Sequence, residues 1–453
     1  MKPIDFVGQA RHGGTPGGSV PEVSHPNILY LHSHDTGRYV QPYGFGIPTP
    51  RIQGLAEQGI LFRQAFCAAS TCSAARACLL TGQYAHTNGM LGLAHRGWSL
   101  HDYTHHVVHT LHDIGYRSTL IGEQHISKRP DVIGYDRVVK IPTTRVDDVA
   151  PVTIDILRNA PSQPFFLSVG FFETHREFFK PVANEEHYVR PPANLPDLPE
   201  TRADMAAFTA SARSLDRGVG AVLDALDETG LARNTLVICT TDHGIAFPGA
   251  KATMSDRGTG VMLILRGPGG FGGGKVVDSL VSHIDLFPTI CDALEIAHPD
   301  WLQGRSLMPI VTGAAGEVRD AIFTEGTYHA AYEPQRAVRT KDWKLVRRFG
   351  DRRVPVLPNI DDSPSKEVWL RHGYAERELP QLALHDLVFD PNEAENVASR
   401  PDLAEVVADL GDRLERWMQD TGDPLLDGPV APPAGAEVND PDQRSATDPT
   451  TRY

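Results

Sequence analysis

Residues 27–35, NILYLHSHD, combine a short apolar stretch with a histidine and an aspartate that follow it directly. The apolar residues predict a strand buried on both faces, because they lack the alternation of a strand with one face in water. The same arrangement recurs at residues 234–243, NTLVICTTDH. Each strand therefore delivers an adjacent pair of metal-binding side chains, His34-Asp35 and Asp242-His243.

Strand and helix patterns alternate along most of the chain. Apolar stretches at 164–172 and 261–268 predict further strands, and 203–230 has the spacing of a long helix. Such alternation predicts an α/β fold, with a mostly parallel sheet sandwiched between helices. Ligands of these sheets bind beyond the carboxyl ends of the strands, so we expect the two pairs to meet there.

The length of 453 residues favours more than one domain. We predict a catalytic domain over residues 26–319 and a smaller C-terminal α+β domain, an antiparallel sheet with one terminal helix, over 320–426. Gly- and Pro-rich residues 1–25 predict a flexible arm. The Pro- and Asp-rich composition of residues 427–453 predicts a disordered tail.

The overall composition excludes several classes of partner. A formal charge of −14 argues against nucleic-acid binding, and no apolar run approaches the roughly 18 residues of a membrane span. The first residues lack the apolar core of a signal peptide, and three of the five cysteines lie within residues 67–78. Both features lead us to expect a cytoplasmic protein with reduced thiols. No feature of the sequence sets the oligomeric state.

Residues 70–82, STCSAARACLLTG, predict a helix that begins near Cys72 and stops at Gly82. Cys72 and Arg76 then share one helical face, at a helix start that favours anions. If this helix start meets the two strand ends, their carboxylates and imidazoles form a nest for a divalent cation.

Together these segments resemble the sulfatase family of the alkaline-phosphatase-like superfamily. The family signature, Cys-x-Pro/Ala-x-Arg followed by Leu-Leu-Thr-Gly, is present at residues 72–76 and 79–82. The likeness covers residues 26–425 and includes "PFFLSVGFFETHR" and "TDHGIAFPGAK". It implies an alkaline-phosphatase-like fold. It also implies hydrolysis of a sulfate ester or of a sulfamate of the N-sulfoglucosamine type.

The resemblance implies a specific chemistry at residue 72. Formylglycine-generating machinery would convert Cys72 into an aldehyde, which hydrates to a gem-diol. One diol oxygen attacks sulfur, and the second expels sulfate as the aldehyde returns. Arg76 would hold the diol through its fixed set of donors. The partner would be a small sulfated molecule or a sulfated sugar.

The resemblance also assigns roles to other residues. Lys251 would bind a sulfate oxygen. Of His125 and His175, one would protonate the leaving group and the other would hydrogen-bond the sulfate, and the resemblance leaves open which does which. The implied metal ligands are His34, Asp35, the modified Cys72, Asp242 and His243.

Four positions depart from the usual family pattern. His34 replaces an aspartate and His243 an asparagine, so calcium is the family expectation, while imidazole ligands also suit manganese, iron or zinc. The sulfate-binding lysine of the family is replaced by Glu123 or Gln124, and Ala74 replaces the commonest proline.

Several interpretations stay open. A phosphodiesterase or phosphonate monoester hydrolase of the same superfamily is one alternative, and a non-catalytic anion-binding protein is another. The basic run at 341–353 is either a solvated strand face or a subsite for an anion. As substrate contacts we consider Glu123, Tyr328, His329 and Arg336.

Overall fold

The structure is a computed structural model that describes residues 25–453. The predicted flexible arm, residues 1–25, therefore lies outside the described residues apart from His25.

The strands are, in chain order, β1 (Asn27–Ser33), β2 (Ile60–Phe62), β3 (Ala65–Phe66), β4 (Arg117–Gly122), β5 (Arg137–Val138), β6 (Phe165–Gly170), β7 (Thr235–Thr241), β8 (Leu263–Arg266), β9 (Lys275–Val277), β10 (Val281–Ser282), β11 (Ile322–Tyr328), β12 (Tyr332–Arg339), β13 (Trp343–Arg348), β14 (Leu382–Asp386), β15 (Glu437–Asn439) and β16 (Thr450–Arg452). The helices are α1 (Pro50–Gln58), α2 (Cys72–Thr81), α3 (Ala85–Asn88), α4 (Val107–Asp113), α5 (Val146–Arg158), α6 (Pro199–Glu228), α7 (Asp256–Thr259), α8 (Leu286–Ala293), α9 (Met308–Val311), α10 (Pro364–Arg371) and α11 (Ala404–Thr421).

The main sheet has eight strands in the order β5-β4-β6-β1-β7-β8-β2-β9. Only β8 runs antiparallel to its neighbours, so the predicted mostly parallel sheet is confirmed. Strand β1 lies in the middle and pairs in parallel with β7, with Ser33 opposite Thr241. The carboxyl ends of these two strands therefore lie side by side.

Both faces of the main sheet are covered, and β1 shows how. All seven of its residues are buried. Ile28 and Tyr30 pack in a core that includes residues of α2, α4 and α8. Leu29 and Leu31 point to the opposite face, where they pack in a core with residues of α1, α5 and α6. The continuous apolar pattern of this strand follows from burial on both faces.

Strands β11 to β14 form a second, antiparallel sheet. Helix α11 covers it, with Leu410 and Leu414 in one core cluster with Val338 and Leu345. The predicted antiparallel sheet with a terminal helix is confirmed.

The prediction of a disordered tail over residues 427–453 is wrong. Strands β15 and β16 pair there as an antiparallel ladder, and Ala436 and Val438 are buried in the main core. The Asn439 amide donates to the carbonyl of Ala330 at 2.9 Å. Composition describes a segment in isolation, whereas these contacts with the rest of the fold offset the cost of ordering it.

Within residues 25–453, no helix has both the length and the apolar character needed to cross a membrane.

Candidate active site

The two Asp-His pairs meet at the carboxyl end of the main sheet. The amide of Asp35 donates to Oδ1 of Asp242 at 2.9 Å, and Nε2 of His243 lies 3.3 Å from Sγ of Cys72. Each of the five predicted ligands offers one atom to a group whose members all lie within 4.8 Å of one another. These buried residues are His34, Asp35, Cys72, Asp242 and His243.

Helix α2 brings Cys72 and Arg76 to the strand ends. It begins at Cys72, as predicted, and ends at Gly82, whose φ of 68° suits a residue without a side chain. The Arg76 guanidinium is buried, with 2% of its side chain exposed. It donates to the Ser33 carbonyl at 2.8 Å and lies 2.6 Å from Nδ1 of His32. Arg76 therefore fastens the helix start to the end of β1.

The donor set fits a divalent cation. Oδ2 of Asp242 is buried without a hydrogen bond, although it lies 3.1 Å from the Arg76 guanidinium and 3.2 Å from Nδ1 of His34. Burial acts to raise the pKa of Asp242, but His243 and His34 lower it, so the carboxylate is charged. A buried anionic oxygen with free lone pairs is a suitable ligand for a cation.

The two imidazoles of the cluster respond to the same negative charge. Burial disfavours their protonated forms, but Asp242, Cys72 and Asp35 raise the pKa of His34 well above its ordinary value. The same neighbours raise the pKa of His243 to about 9. A histidine binds a metal only as a neutral imidazole. A bound cation would therefore replace these two protons in balancing the negative charge of the cluster.

Lys251 connects the cluster to the C-terminal part of the chain. Its Nζ lies 2.9 Å from Oδ2 of Asp35 and 3.2 Å from Oδ2 of Asp361. Both carboxylates raise the pKa of Lys251 against the effect of burial. Burial raises the pKa of the Cys72 thiol, yet Lys251 and His34 hold that pKa well below its ordinary value. The deprotonated form of residue 72 is thus stabilised by the cationic groups beside it.

Three histidines adjoin the cluster. Nδ1 of His125 lies 3.3 Å from Nε2 of His34, and Nε2 of His125 lies 2.8 Å from Nδ1 of His95. The ring of His175 meets His34 edge-on, with centroids 4.5 Å apart. Burial and the charge of Lys251 lower the pKa of His175 to about 4, so this ring is neutral at pH 7.

The backbone around these groups is held in an uncommon conformation. Left-handed φ values cost non-glycine residues about 1–3 kcal/mol each and persist where the surrounding fold imposes them. Four such residues, with φ between 53° and 74°, belong to or directly adjoin the site: Asp35, His125, Thr174 and Ala252.

Glu123 lies at the site and is not turned away from it. Its Oε2 accepts a hydrogen bond from Thr144 at 3.3 Å. Burial raises its pKa, but His125, His34 and Arg76 together lower it below the ordinary value. A charged carboxylate is therefore present beside the position, Glu123 or Gln124, to which the resemblance assigns a lysine.

Two of the predicted substrate contacts are engaged elsewhere. The Tyr328 hydroxyl donates to the Val430 carbonyl at 2.6 Å, so it binds the backbone of the C-terminal segment. Arg336 is fully buried and donates to Asp423 at 3.0 Å, within a network that also includes Glu325. The prediction of a substrate contact at Arg336 is wrong, because β12 directs this side chain into the protein.

Sequence reasoning missed Asp361 and His95, both of which adjoin the site. Asp361 is kept charged by Lys251 and His329, which lower its pKa against burial. His329, one of the predicted contacts, is therefore close to the site, and its Nδ1 has no hydrogen-bond partner in the described structure. Neither Asp361 nor His95 follows a main-sheet strand, so no pattern marked them.

Comparison with known proteins identifies the class. The family model described as Sulfatase matches residues 26–296. The chain belongs to the sulfatase family and is a sulfuric ester hydrolase. A second model, described as N-sulphoglucosamine sulphohydrolase, C-terminal, matches residues 249–368.

Individual relatives refine this picture. The chain is 29% identical to the N-sulphoglucosamine sulphohydrolase of Homo sapiens over 466 residues, covering 89% of this chain and 92% of that protein. A protein solved in complex with its substrate D-glucosamine-2-N,6-O-disulfate shares the fold, with a TM-score of 0.69 and 17% identity over 88% of this chain and 98% of that chain. So does the phosphonate monoester hydrolase of Silicibacter pomeroyi, with a TM-score of 0.65 and 20% identity over 88% of this chain and 96% of that chain.

Proposed function

We propose that this sulfatase hydrolyses the sulfamate or a sulfate ester of a glucosamine-type sugar, with formylglycine formed from Cys72. The observation that carries the proposal is the position of Cys72 at the start of α2, with Sγ in the 4.8 Å group of metal-binding atoms. Residue 72 therefore lies at a helix N-terminus, within the cation site and near the ammonium of Lys251. These three features favour the charge that develops on oxygen during transfer of a sulfuryl group.

The preference for a sulfamate draws on the similarity to N-sulphoglucosamine sulphohydrolase along most of both chains. A divalent cation held by the five cluster residues would supply Lewis-acid stabilisation of negative oxygen. Its identity is open among calcium, manganese, iron and zinc, because two of the five ligands are imidazoles.

Lys251, His175 and His125 would each have a separate role in binding the substrate or transferring a proton. Lys251 is placed to bind a sulfate oxygen, since its ammonium is buried beside residue 72. His175, neutral at pH 7, suits a hydrogen bond to sulfate. This leaves His125 to donate a proton to the departing nitrogen or oxygen, with His95 fixing its ring through a 2.8 Å contact.

The test combines mass spectrometry with turnover. The protein is produced together with formylglycine-generating machinery, and the mass of the peptide that carries residue 72 is measured. Turnover of N-sulfoglucosamine, glucosamine 6-sulfate and an aryl phosphonate monoester is then compared after chelation and reloading with calcium, manganese or zinc. We expect a modified residue 72, a requirement for a divalent cation and fastest turnover of N-sulfoglucosamine.

Another buried cysteine of the same helix provides a matched control. Cys72→Ala should lower turnover by at least about 1000-fold because the nucleophile is removed, whereas Cys78→Ala should stay within about threefold of the parent protein, since Cys78 belongs to the core. Equal activity of Cys72→Ala would contradict the proposal. Preference for the phosphonate would favour the phosphonate monoester hydrolase alternative. An absence of turnover in modified, metal-loaded protein would favour an anion-binding protein.

A further inference from the structure

A large cleft, with a volume of about 950 Å³, lies apart from the site described above. Its walls include the loop after β1, the segment 188–193 that precedes α6, and the loop after β12. None of the described cluster residues or active-site histidines lines it. The loop after β1 serves both places, because Asp35 belongs to the cluster while Arg38 lines the cleft.

The cleft concentrates positive charge in a protein whose formal net charge is −14. Among the described lining residues, Asp256 is the single acidic one. A local reversal of the overall charge attracts anions and orients them toward the cleft. The cationic side chains that line it are Arg38, Arg63, Arg190, Arg257, Arg339 and Lys341.

The negative charge of Asp256 is neutralised by ion pairs within the protein. Its carboxylate lies 3.0 Å from the Arg339 guanidinium and also accepts from the buried Lys344 ammonium. Lys344 lies 2.6 Å from Glu393 as well. The basic run at 341–353 is thus not simply a solvated face, because the buried Lys344 neutralises Asp256, which lines the cleft.

Three of the arginines keep their charge available. Arg38, Arg190 and Arg257 form no ion pair within residues 25–453, and Nε of both Arg38 and Arg257 is buried without a hydrogen-bond partner. By contrast, Arg63 and Lys341 pair with carboxylates, Asp278 and Glu317. The guanidinium groups of Arg38 and Arg257 donate only to neutral carbonyls, those of Ala65 and Asn392 respectively. A buried guanidinium N–H without an acceptor is costly, and an anion in the cleft would reduce that cost.

Aromatic rings lie beside these charges. Tyr188 is 89% exposed and Phe45 is 37% exposed. Phe45 stacks on Tyr39, with centroids 4.2 Å apart, so its ring is held in place. Exposed, oriented ring faces offer apolar surface to the flat, aliphatic faces of sugar rings, while arginines bind sulfate or carboxylate groups bidentately.

We propose that this cleft binds an acidic oligosaccharide, with sulfate or carboxylate groups on Arg38, Arg190 and Arg257 and sugar rings on Tyr188 and Phe45. The cleft would bind sugar units of the oligosaccharide that are remote from the unit that is hydrolysed. The proposal goes beyond the proposed function and stands on the cleft itself, so it would survive a different assignment of the hydrolysed bond.

The test is a binding experiment with the full-length protein. The probe is a fluorescently labelled, heparin-derived hexasaccharide, titrated by anisotropy, with neutral maltohexaose for comparison. Tyr188→Ala/Arg190→Gln is the informative variant, because both side chains are exposed and their loss leaves the core intact. We expect its affinity for the hexasaccharide to fall about tenfold, with a weaker dependence on salt.

Two controls decide where the probe binds. Arg158→Gln removes an arginine of comparable exposure at the end of α5 and should bind like the parent protein. Lys251→Ala changes the active site and should retain most hexasaccharide affinity. Undiminished binding by the double variant, or loss of binding in Lys251→Ala alone, would overturn the proposal. So would equal or tighter binding of a single-stranded oligonucleotide of the same charge, since the cleft would then not be selecting sugar.

Discussion

The Asp361 carboxylate lies 3.2 Å from the ammonium of Lys251. Asp361 belongs to the segment between β13 and α10, whereas Lys251 follows β7 of the main sheet. The C-terminal part of the chain therefore contributes a charge to the site and does more than cover it. Because the same ammonium also contacts Asp35, the electrostatic balance around residue 72 depends on both parts of the chain.

Asp361→Asn should strengthen inhibition by inorganic sulfate about three- to tenfold, because a negative charge beside the anion site is removed. The measurement is the competitive inhibition constant of sulfate at pH 7. Asp362→Asn is the matched control, since that side chain is turned to Lys366 and is 54% exposed. Weaker sulfate inhibition in Asp361→Asn would mean instead that Asp361 mainly holds Lys251 in position.

Arg76→Lys should lower kcat about 100-fold or more. Lysine keeps the charge but cannot reach His32, the Ser33 carbonyl and Asp242 at once, so the end of β1 and the helix start would shift relative to each other. Arg319→Lys alters a buried arginine that pairs with Asp285. It should lower the melting temperature and leave kcat nearly unchanged. Similar losses of kcat in both variants would refute a specific role for Arg76.

The stability of the protein should fall in mild acid because of His106. Nδ1 of this buried residue caps α4 by accepting from the Val108 amide at 3.2 Å. Burial and the neighbouring His109 lower the pKa of His106 to about 3. The unfolded chain, with a histidine pKa of about 6.5, then binds an additional proton between these values, so stability is lost as the pH drops below about 6.5.

At pH 5 this linkage amounts to about 2 kcal/mol relative to pH 7 or above. His106→Asn keeps an acceptor that suits a helix cap and removes the titration. Urea unfolding at pH 7 and pH 5 should therefore show a smaller difference for His106→Asn than for the parent protein. An unchanged difference would exclude His106 as the source of the acid sensitivity.

Asn439→Ala should lower kcat/KM about fivefold and leave metal affinity unchanged. The Asn439 side chain accepts from Arg96 at 2.7 Å and so restrains the turn that carries His95. His95 in turn contacts His125, while the metal ligands lie on other elements. Loss of one such tether typically costs about 1 kcal/mol, which corresponds to this factor.

Steady-state kinetics and calorimetric titration of the metal would check this expectation. The neighbouring Asp440→Ala, at an exposed position, should resemble the parent protein. A loss of metal affinity in Asn439→Ala would show that the C-terminal segment supports the whole fold and not this turn alone.

Much of the site was predictable because its ligands follow recognisable local patterns. A continuous apolar strand ends at His34, another ends at Asp242, and small residues after Cys72 start a helix. The parallel order of β1 and β7 then brings the strand ends together. His95 and Asp361 had no such pattern, since neither is tied to a main-sheet strand end.

The errors have a common physical origin. Arg336 is a strand residue of ordinary appearance, and only its burial against Asp423 shows that it cannot reach a substrate at the site. The polar residues 427–453 become ordered because Ala436 and Val438 find a place in a core made elsewhere in the chain. In both cases the deciding contacts join residues far apart in sequence.

The sequence by itself determined the alternating strands and helices, the position of the helix start at Cys72 and the residue types of the cation cluster, because these depend on local periodicity and capping. Only the tertiary structure decided that Asp361 and His95 adjoin the site and that a separate cationic cleft forms. Such groupings depend on long-range packing, which brings charges together at spacings that no local pattern encodes.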